Sequence, residues 1–380
     1  MNDDEVRSLG ARYGLRRDNF ILDPVTDHEC FARDDIRTQE IAEGLDIDVV
    51  TGLAPKRLVW GPYGSGKTHT LMRTMEELSQ LTPIHYVRIE CPDLAKKSRF
   101  HDLYREGIMR GIGEEFTVRL MESVVRKVGF RRAEELRTEL RRWFGDEEIA
   151  KAAERLFDPN FERLRLWRWI SGVNLSRGDL DILGQTQDLT QAEAARLADV
   201  VIMLGKLLKE LEGKTLVVVL DEMERLVSIG PETIVTFMSG FTRLVDPNQR
   251  SVSILIGASA AVESEMVDIF SGNSPVTSRL GGDAKIEIPS LSDPDVNRFI
   301  EGVLAYLRDK TQDIERLVSE SQPPGENLTV RFFPFTAEAV EALKTKTQLL
   351  TPRELTMQMT RALGRAHRKQ KRVITSDCVV

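Results

Sequence analysis

Residues 61–68 read Gly-Pro-Tyr-Gly-Ser-Gly-Lys-Thr and fit G-x-x-x-x-G-K-[ST] at every fixed position. Residue types at this spacing hold phosphate. Gly61, Gly64 and Gly66 let the backbone turn tightly and present its N–H groups to phosphate oxygens. Lys67 can reach β- and γ-phosphates as a point charge, and the Thr68 hydroxyl can ligate Mg²⁺. Pro62, Tyr63, Ser65 and His69 are the remaining members of this candidate nucleotide site. The plain alternative is a glycine-rich strand-to-helix turn that happens to carry Lys-Thr. Context decides against it: Leu58, Val59 and Trp60 lead in as a strand, and Leu71, Met72, Met75 and Leu78 lead out at helical spacing. That helix aims its positive dipole end at the same oxygens.

Hydrolysis needs a second set of groups. Thr215-Leu-Val-Val-Val-Leu-Asp221-Glu222 puts five consecutive apolar residues before two carboxylates. Such a run suits a strand buried on both faces of a parallel sheet. Its end places Asp221 beside Mg²⁺ and makes Glu222 the general base for an attacking water. The alternative for the pair is a helix-capping role, and Glu224 reads as an exposed helical residue. Ser259 closes the next apolar run, Val252–Ile256 and Gly257-Ala-Ser. It has two readings: a hydroxyl that orients water or touches the γ-phosphate, and a helix N-cap. Arg279, in Thr-Ser-Arg-Leu, and Arg353, in Thr-Pro-Arg-Glu-Leu, could each bring positive charge to the γ-phosphate; as plain surface arginines they would do nothing.

The elements that must carry these residues alternate strand and helix. Residues 1–55 form an N-terminal arm, with helical spacing over Asp34–Leu45. Residues 56–290 form the nucleotide core, with strands at 56–60, His85–Cys91, 215–221, 252–256 and Ala284–Ile288. Residues 92–214 lack strand patterning and read as a long helical insertion, with helices at Ala133–Phe144, Glu147–Leu156, Phe161–Ile170 and Gln191–Leu211. Gly172 and the Ser176–Gly178 and Gly184–Asp188 stretches read as breaks, and Trp143, Trp167 and Trp169 as packing for the insertion's core, with stacking on a nucleic-acid base as the alternative. Residues 291–380 form a helical lid with helices at Asp295–Leu307, Ala337–Leu349 and Pro352–Arg368. The fold class is therefore α/β, a parallel-sheet core with a helical insertion and lid.

Composition narrows the class. The 380 residues are 41% hydrophobic and 30% charged, with a net charge of −7, which fits a folded globular protein and excludes one that coats nucleic acid through bulk charge. Local basic clusters remain: Arg361, Arg365, Arg368, Lys369, Lys371 and Arg372 at the C-terminal end, and Arg126, Lys127, Arg131, Arg132, Arg137, Arg141 and Arg142 in the insertion. Each could follow a phosphate backbone or be a solvated helix face. Cys30, Cys91 and Cys378 lack metal-ligand spacing and read as free thiols of a cytoplasmic protein. No run is long enough to span a membrane, so a membrane partner is not expected.

These motifs resemble the AAA+ ATPases over about Phe31 to Arg365. Residues 61–68 are similar to that superfamily's Walker A, and Leu216–Glu222 to its Walker B. Ser259 matches the sensor-1 position and Pro352-Arg353 the sensor-2 position in the lid. Ser278-Arg279 resembles the Ser-Arg of clamp loaders, where the arginine completes a neighbouring subunit's site. Cys30-Phe-Ala-Arg-Asp34 resembles the Phe-x-Gly-Arg-Glu segment of origin-recognition and signalling ATPases, departing at Cys30, Ala32 and Asp34. Trp169…Gly172 is similar to ATP-binding proteins of bacterial phage-defence clusters. The resemblance implies a homo-oligomer with ATP at subunit interfaces, acting on DNA, RNA or a protein client. A winged-helix DNA reader is not expected after the lid. No Asn-Lys-x-Asp guanine reader is present, and too few residues follow Asp221 for a second helicase lobe. Two functions stay open: a motor or loader, and an ATP-gated switch that controls assembly with a partner.

Overall fold

The computed structural model describes residues 9–27, 29–30, 36–129, 132–270, 274–280 and 284–380. The Phe31–Asp34 part of the segment compared with signalling ATPases, and Arg131 of the insertion's basic cluster, lie outside these. The chain forms two compact units: Met1–Glu40, Gly61–Thr74 and Ile288–Val380 make one, and Ile41–Trp60 with Met75–Glu287 make the other.

The larger unit is built on a sheet of five parallel strands: β1 (Lys56–Gly61), β2 (Ile84–Glu90), β3 (Thr215–Asp221), β4 (Val252–Ser259) and β5 (Lys285–Glu287), in the order β2-β3-β4-β1-β5. The class is α/β, as the alternating pattern implies. All seven residues of β3 are buried, which is what a run of five aliphatics between two helical layers requires. β2 runs in register with β3 from Ile84 opposite Thr215 to Glu90 opposite Asp221. Cys91, expected inside β2, lies just past it, and its N–H donates to the Asp221 carbonyl.

Residues 92–214 contain helices and no strand among the described residues. Their longest helix, Ala194–Glu212, lies buried along Leu197, Val201, Leu204 and Leu208. Trp169 is fully buried, and Trp143 and Trp167 pack against the same core. The Ser176–Gly178 stretch starts a helix rather than breaking one. The Ser176 hydroxyl accepts the Asp179 N–H, and Gly184, in the left-handed conformation, ends the Arg177–Leu183 helix. The helix Pro231–Leu244 between β3 and β4 had no expectation attached; a proline in its first turn marks its start.

The smaller unit has a helical core in which Val296, Ile300 and Leu304 meet Val340, Leu343, Leu355, Met359 and Leu363. The first part of the N-terminal arm belongs to this core, while its residues from Ile41 onward fall in the larger unit. Tyr13, Leu15 and Phe20 are buried in it, and the Tyr13 hydroxyl donates to the Lys371 carbonyl. Asp27, almost fully buried, accepts two hydrogen bonds from Arg17 at 2.5 and 2.7 Å and one from Tyr306 at 3.0 Å. Among the described residues, no helix is long and apolar enough to cross a membrane.

Candidate functional site

The phosphate-loop sequence leaves β1 at Gly61 and enters the helix Lys67–Leu81. The Thr70 N–H donates to the Gly66 carbonyl, which opens the helix at the motif's lysine. Lys67 is buried, and its Nζ donates to the carbonyls of Gly61 at 3.1 Å and Pro62 at 2.9 Å, so the ammonium is drawn back over the loop. Thr68 and His69 are half-buried on the first turn.

Gly61 and Gly64 are required by close approach as well as by conformation. A Cβ on Gly61 would lie 2.1 Å from the Ile288 carbonyl oxygen. Gly64 has φ +79°, and a Cβ there would lie 2.9 Å from the Arg353 Cβ. The neighbour at Gly64 is the first turn of the Pro352–Arg368 helix, whose N-cap Thr351 accepts the Glu354 N–H. The Arg353 N–H donates to the Gly64 carbonyl at 3.3 Å. Its guanidinium lies 4.7 Å from the Tyr63 ring centroid and donates to the Tyr63 hydroxyl. The smaller unit therefore brings Lys67, Thr68 and Arg353 onto one loop.

Asp221, Glu222, Ser259 and Arg279 all lie in the larger unit. Asp221 ends β3 with its side chain buried. One carboxylate oxygen accepts the Glu222 N–H at 3.0 Å, and the other accepts Arg88 Nη2 at 3.0 Å. Glu222 holds a left-handed backbone at φ +58°, a conformation that costs a side-chain-bearing residue energy and that clusters at functional turns. Burial pushes its carboxyl above the ordinary glutamate range, and the facing Arg225 guanidinium opposes that push. Arg225 pairs with Glu222, with Glu90 at 3.1 Å and with Asp93 at 3.3 Å.

Ser259 is the last residue of β4, and its N–H donates to Glu224 Oε2 at 2.9 Å. The next helix begins at Glu263, too far on for Ser259 to cap it. Glu224 lies in the short helical segment Met223–Ser228, as its reading expects, but it is half-buried and tied to the end of β4 and not exposed. The tight turn of that segment after β3 folds its side chain back toward the sheet. Arg279 ends the short helix Ser274–Arg279. Its guanidinium donates to the Thr242 carbonyl at 2.5 Å and lies 3.7 Å from the Asp246 carboxylate.

Sequence reading missed Arg88, Arg225 and Glu90. Two signals pointed to them. Arg88 and Glu90 are two apart on a strand and so share a face, and Glu222 and Arg225 are three apart in a helical turn.

The basic clusters are partly engaged. Asp377 accepts from Lys369 and Lys371 at 2.8 and 2.6 Å, which hold its carboxyl far below the usual range. Arg365 donates to the Cys378 carbonyl. In the insertion, Arg137 pairs with Glu154 and Arg141 with Glu147, and Lys127 lies over the Trp143 ring.

A phosphate loop after the first strand, an α/β sheet of parallel strands and an acidic pair ending a central strand place the molecule in the class that the AAA+ resemblance implies: an α/β phosphate-loop core. No protein-family model matches the chain, and no curated protein matches it. Among solved structures it is similar to the ORC2 protein of Aeropyrum pernix, with 12% identity, 91% of this chain and 68% of that one covered, and a TM-score of 0.46. It is also similar to the A. pernix ORC1 protein in complex with DNA (13%, 92% and 65%, 0.47), of which it spans just under two thirds. A third is the Walker-type ATPase paby2304 of Pyrococcus abyssi (15%, 92% and 74%, 0.46). Likenesses this loose assign no activity or partner to this chain.

Proposed function

We propose that the protein binds ATP with Mg²⁺ and hydrolyses it. The observation that carries this reading is the complete phosphate loop, opening a helix at a buried Lys67, in a chain whose β3 ends in Asp221-Glu222. The donor types fit the cofactor. Asp221 offers a carboxylate and Thr68 a hydroxyl, hard oxygen ligands that suit Mg²⁺. Bound Mg²⁺ would neutralise charge on the β- and γ-phosphates. Lys67 and the loop N–H groups bind and orient the phosphates. Glu222 accepts the proton of the water that attacks the γ-phosphorus. Ser259 and Arg353 supply polar contact and charge to the γ-phosphate.

The chain acts as a homo-oligomer with ATP at subunit interfaces, Arg279 completing a neighbour's site. For that role Arg279 must leave Thr242 and Asp246, so assembly and release of this contact are coupled. The engaged state of Arg279 favours a slow, assembly-gated switch over a continuously turning motor. The pairing of Lys369 and Lys371 with Asp377 favours a protein client over DNA or RNA. Free thiols at three buried positions suit a reducing cytoplasm.

The test is ATP turnover and ATP binding by wild type and Glu222→Gln, with and without DNA or RNA. Wild type turns over slowly and is not stimulated by nucleic acid. Glu222→Gln binds ATP but loses turnover by roughly a hundredfold or more, because the amide cannot accept a proton. Wild-type turnover by Glu222→Gln would remove the catalytic assignment, and strong stimulation by DNA would restore the motor reading.

A further inference from the structure

Tyr63 does nothing that the loop motif demands. The motif leaves its position open, and its side chain is 64% exposed, so it contributes little to any core. What it touches is Arg353. The guanidinium stacks 4.7 Å from the ring centroid and donates to the ring's hydroxyl, while the Arg353 backbone N–H is fixed on Gly64, the next residue. A long, charged side chain is thereby held at both ends, by its backbone on one loop residue and by its tip on the residue before it. The same helix start packs on the loop again at Pro352, whose Cγ would lie 3.8 Å from a Cβ on Gly66.

We propose that Tyr63 is a positioning residue that holds the Arg353 guanidinium on the phosphate loop and, through it, sets the preference for ATP over ADP. The inference rests on the proposed nucleotide reading. An unrestrained arginine loses side-chain entropy when it captures an anion. Stacking on Tyr63 removes much of that freedom beforehand, so the loop presents its second positive charge, besides Lys67, already oriented. The nucleotide with the extra phosphate gains most from a pre-oriented cation. Tyr63 itself touches no substrate in this account and acts only through Arg353.

The experiment is equilibrium binding of fluorescent ATP and ADP analogues, with Mg²⁺, to wild type, Tyr63→Phe, Tyr63→Ala, Arg353→Ala, the Tyr63→Ala/Arg353→Ala double variant and Lys67→Ala. Circular dichroism melting checks the fold, which replacement of so exposed a ring should leave intact. Tyr63→Ala lowers the ATP-over-ADP affinity ratio about two- to fivefold, the range that one exposed cation–π contact supplies. Tyr63→Phe, which keeps the ring, retains part of the preference. In the Arg353→Ala background Tyr63→Ala has no further effect. An unchanged ratio in Tyr63→Ala, or an equal loss with Arg353 already removed, overturns the proposal while leaving the nucleotide reading in place. Failure of wild type to bind either analogue, or binding by Lys67→Ala equal to wild type, overturns both.

Discussion

Asp27 shows how one buried carboxylate can anchor the stretch from Tyr13 to Asp27, which among the described residues carries no strand or long helix. Arg17 holds its carboxyl down at about 2, with the Asp23 N–H and the Tyr306 hydroxyl pulling the same way against burial. A group whose folded pKa is depressed adds stability above its unfolded value, about 4, and loses it as pH falls through the folded value, about 2. Asp27→Asn should therefore cost about 1–2 kcal/mol at neutral pH, discounted because Arg17 is partly exposed to solvent. The gap to wild type should close between pH 4 and pH 2, as followed by chemical unfolding across that range. A gap of constant size would mean that Asp27 acts through packing and not through charge. Arg88 and Arg225 belong to the same scale. Each meets a carboxylate at the end of β3, and neither belongs to a motif, which is why a reading by fixed pattern passes over them while distances on adjacent strands do not.

At the level of elements, the meeting of the phosphate loop with the Pro352–Arg368 helix has a measurable cost attached to one glycine. Gly64→Ala adds a Cβ at a left-handed residue and pushes it against Arg353, whereas Gly145→Ala adds one at φ +71° with nothing within 4 Å. The second change pays conformational strain alone, about 1–2 kcal/mol. Thermal melts should show a larger loss for Gly64→Ala, accompanied by weaker nucleotide binding; equal losses and unchanged binding would show that the helix yields without effect. Elements were the most legible part of this chain. The five aliphatics of β3, the Pro352 start and Arg368 end of its helix, and Ala133–Phe144 follow directly from apolar periodicity and capping residues. Boundaries drifted where the backbone turned extended or a cap closed a separate turn: Glu162 is extended ahead of a helix that begins at Arg163, and Asp188 caps Leu189–Gln191 as its own short turn ahead of Ala194. Side-chain partners were not legible, even at the loop, where Lys67 meets the Gly61 and Pro62 carbonyls and Tyr63 meets Arg353. What Arg279 and Glu224 touch depends on residues far away in the chain, and periodicity says nothing about those.

For the whole molecule, the account requires copies of the chain to complete one another. Arg279→Ala and Lys67→Ala should each be inactive alone. Mixed in co-assembled oligomers, they should recover part of the turnover, since some interfaces then pair an intact Lys67 with an intact Arg279. A trans arginine is worth roughly 10³–10⁵ in rate where it has been measured in other NTPases, so even a small recovered fraction is detectable. No recovery at any ratio would confine Arg279 to its contacts with Thr242 and Asp246. Beneath this lies the claim on which the rest stands, that the loop from Gly61 to Thr68 holds Mg²⁺-ATP. Isothermal titration calorimetry of ATP with Mg²⁺ into wild type and Lys67→Ala tests it most directly. The account predicts saturable binding of one nucleotide per chain by wild type, lost or weakened at least tenfold in Lys67→Ala with the melting profile of the free protein unchanged. Equal binding by the two proteins, or none by wild type, would contradict it.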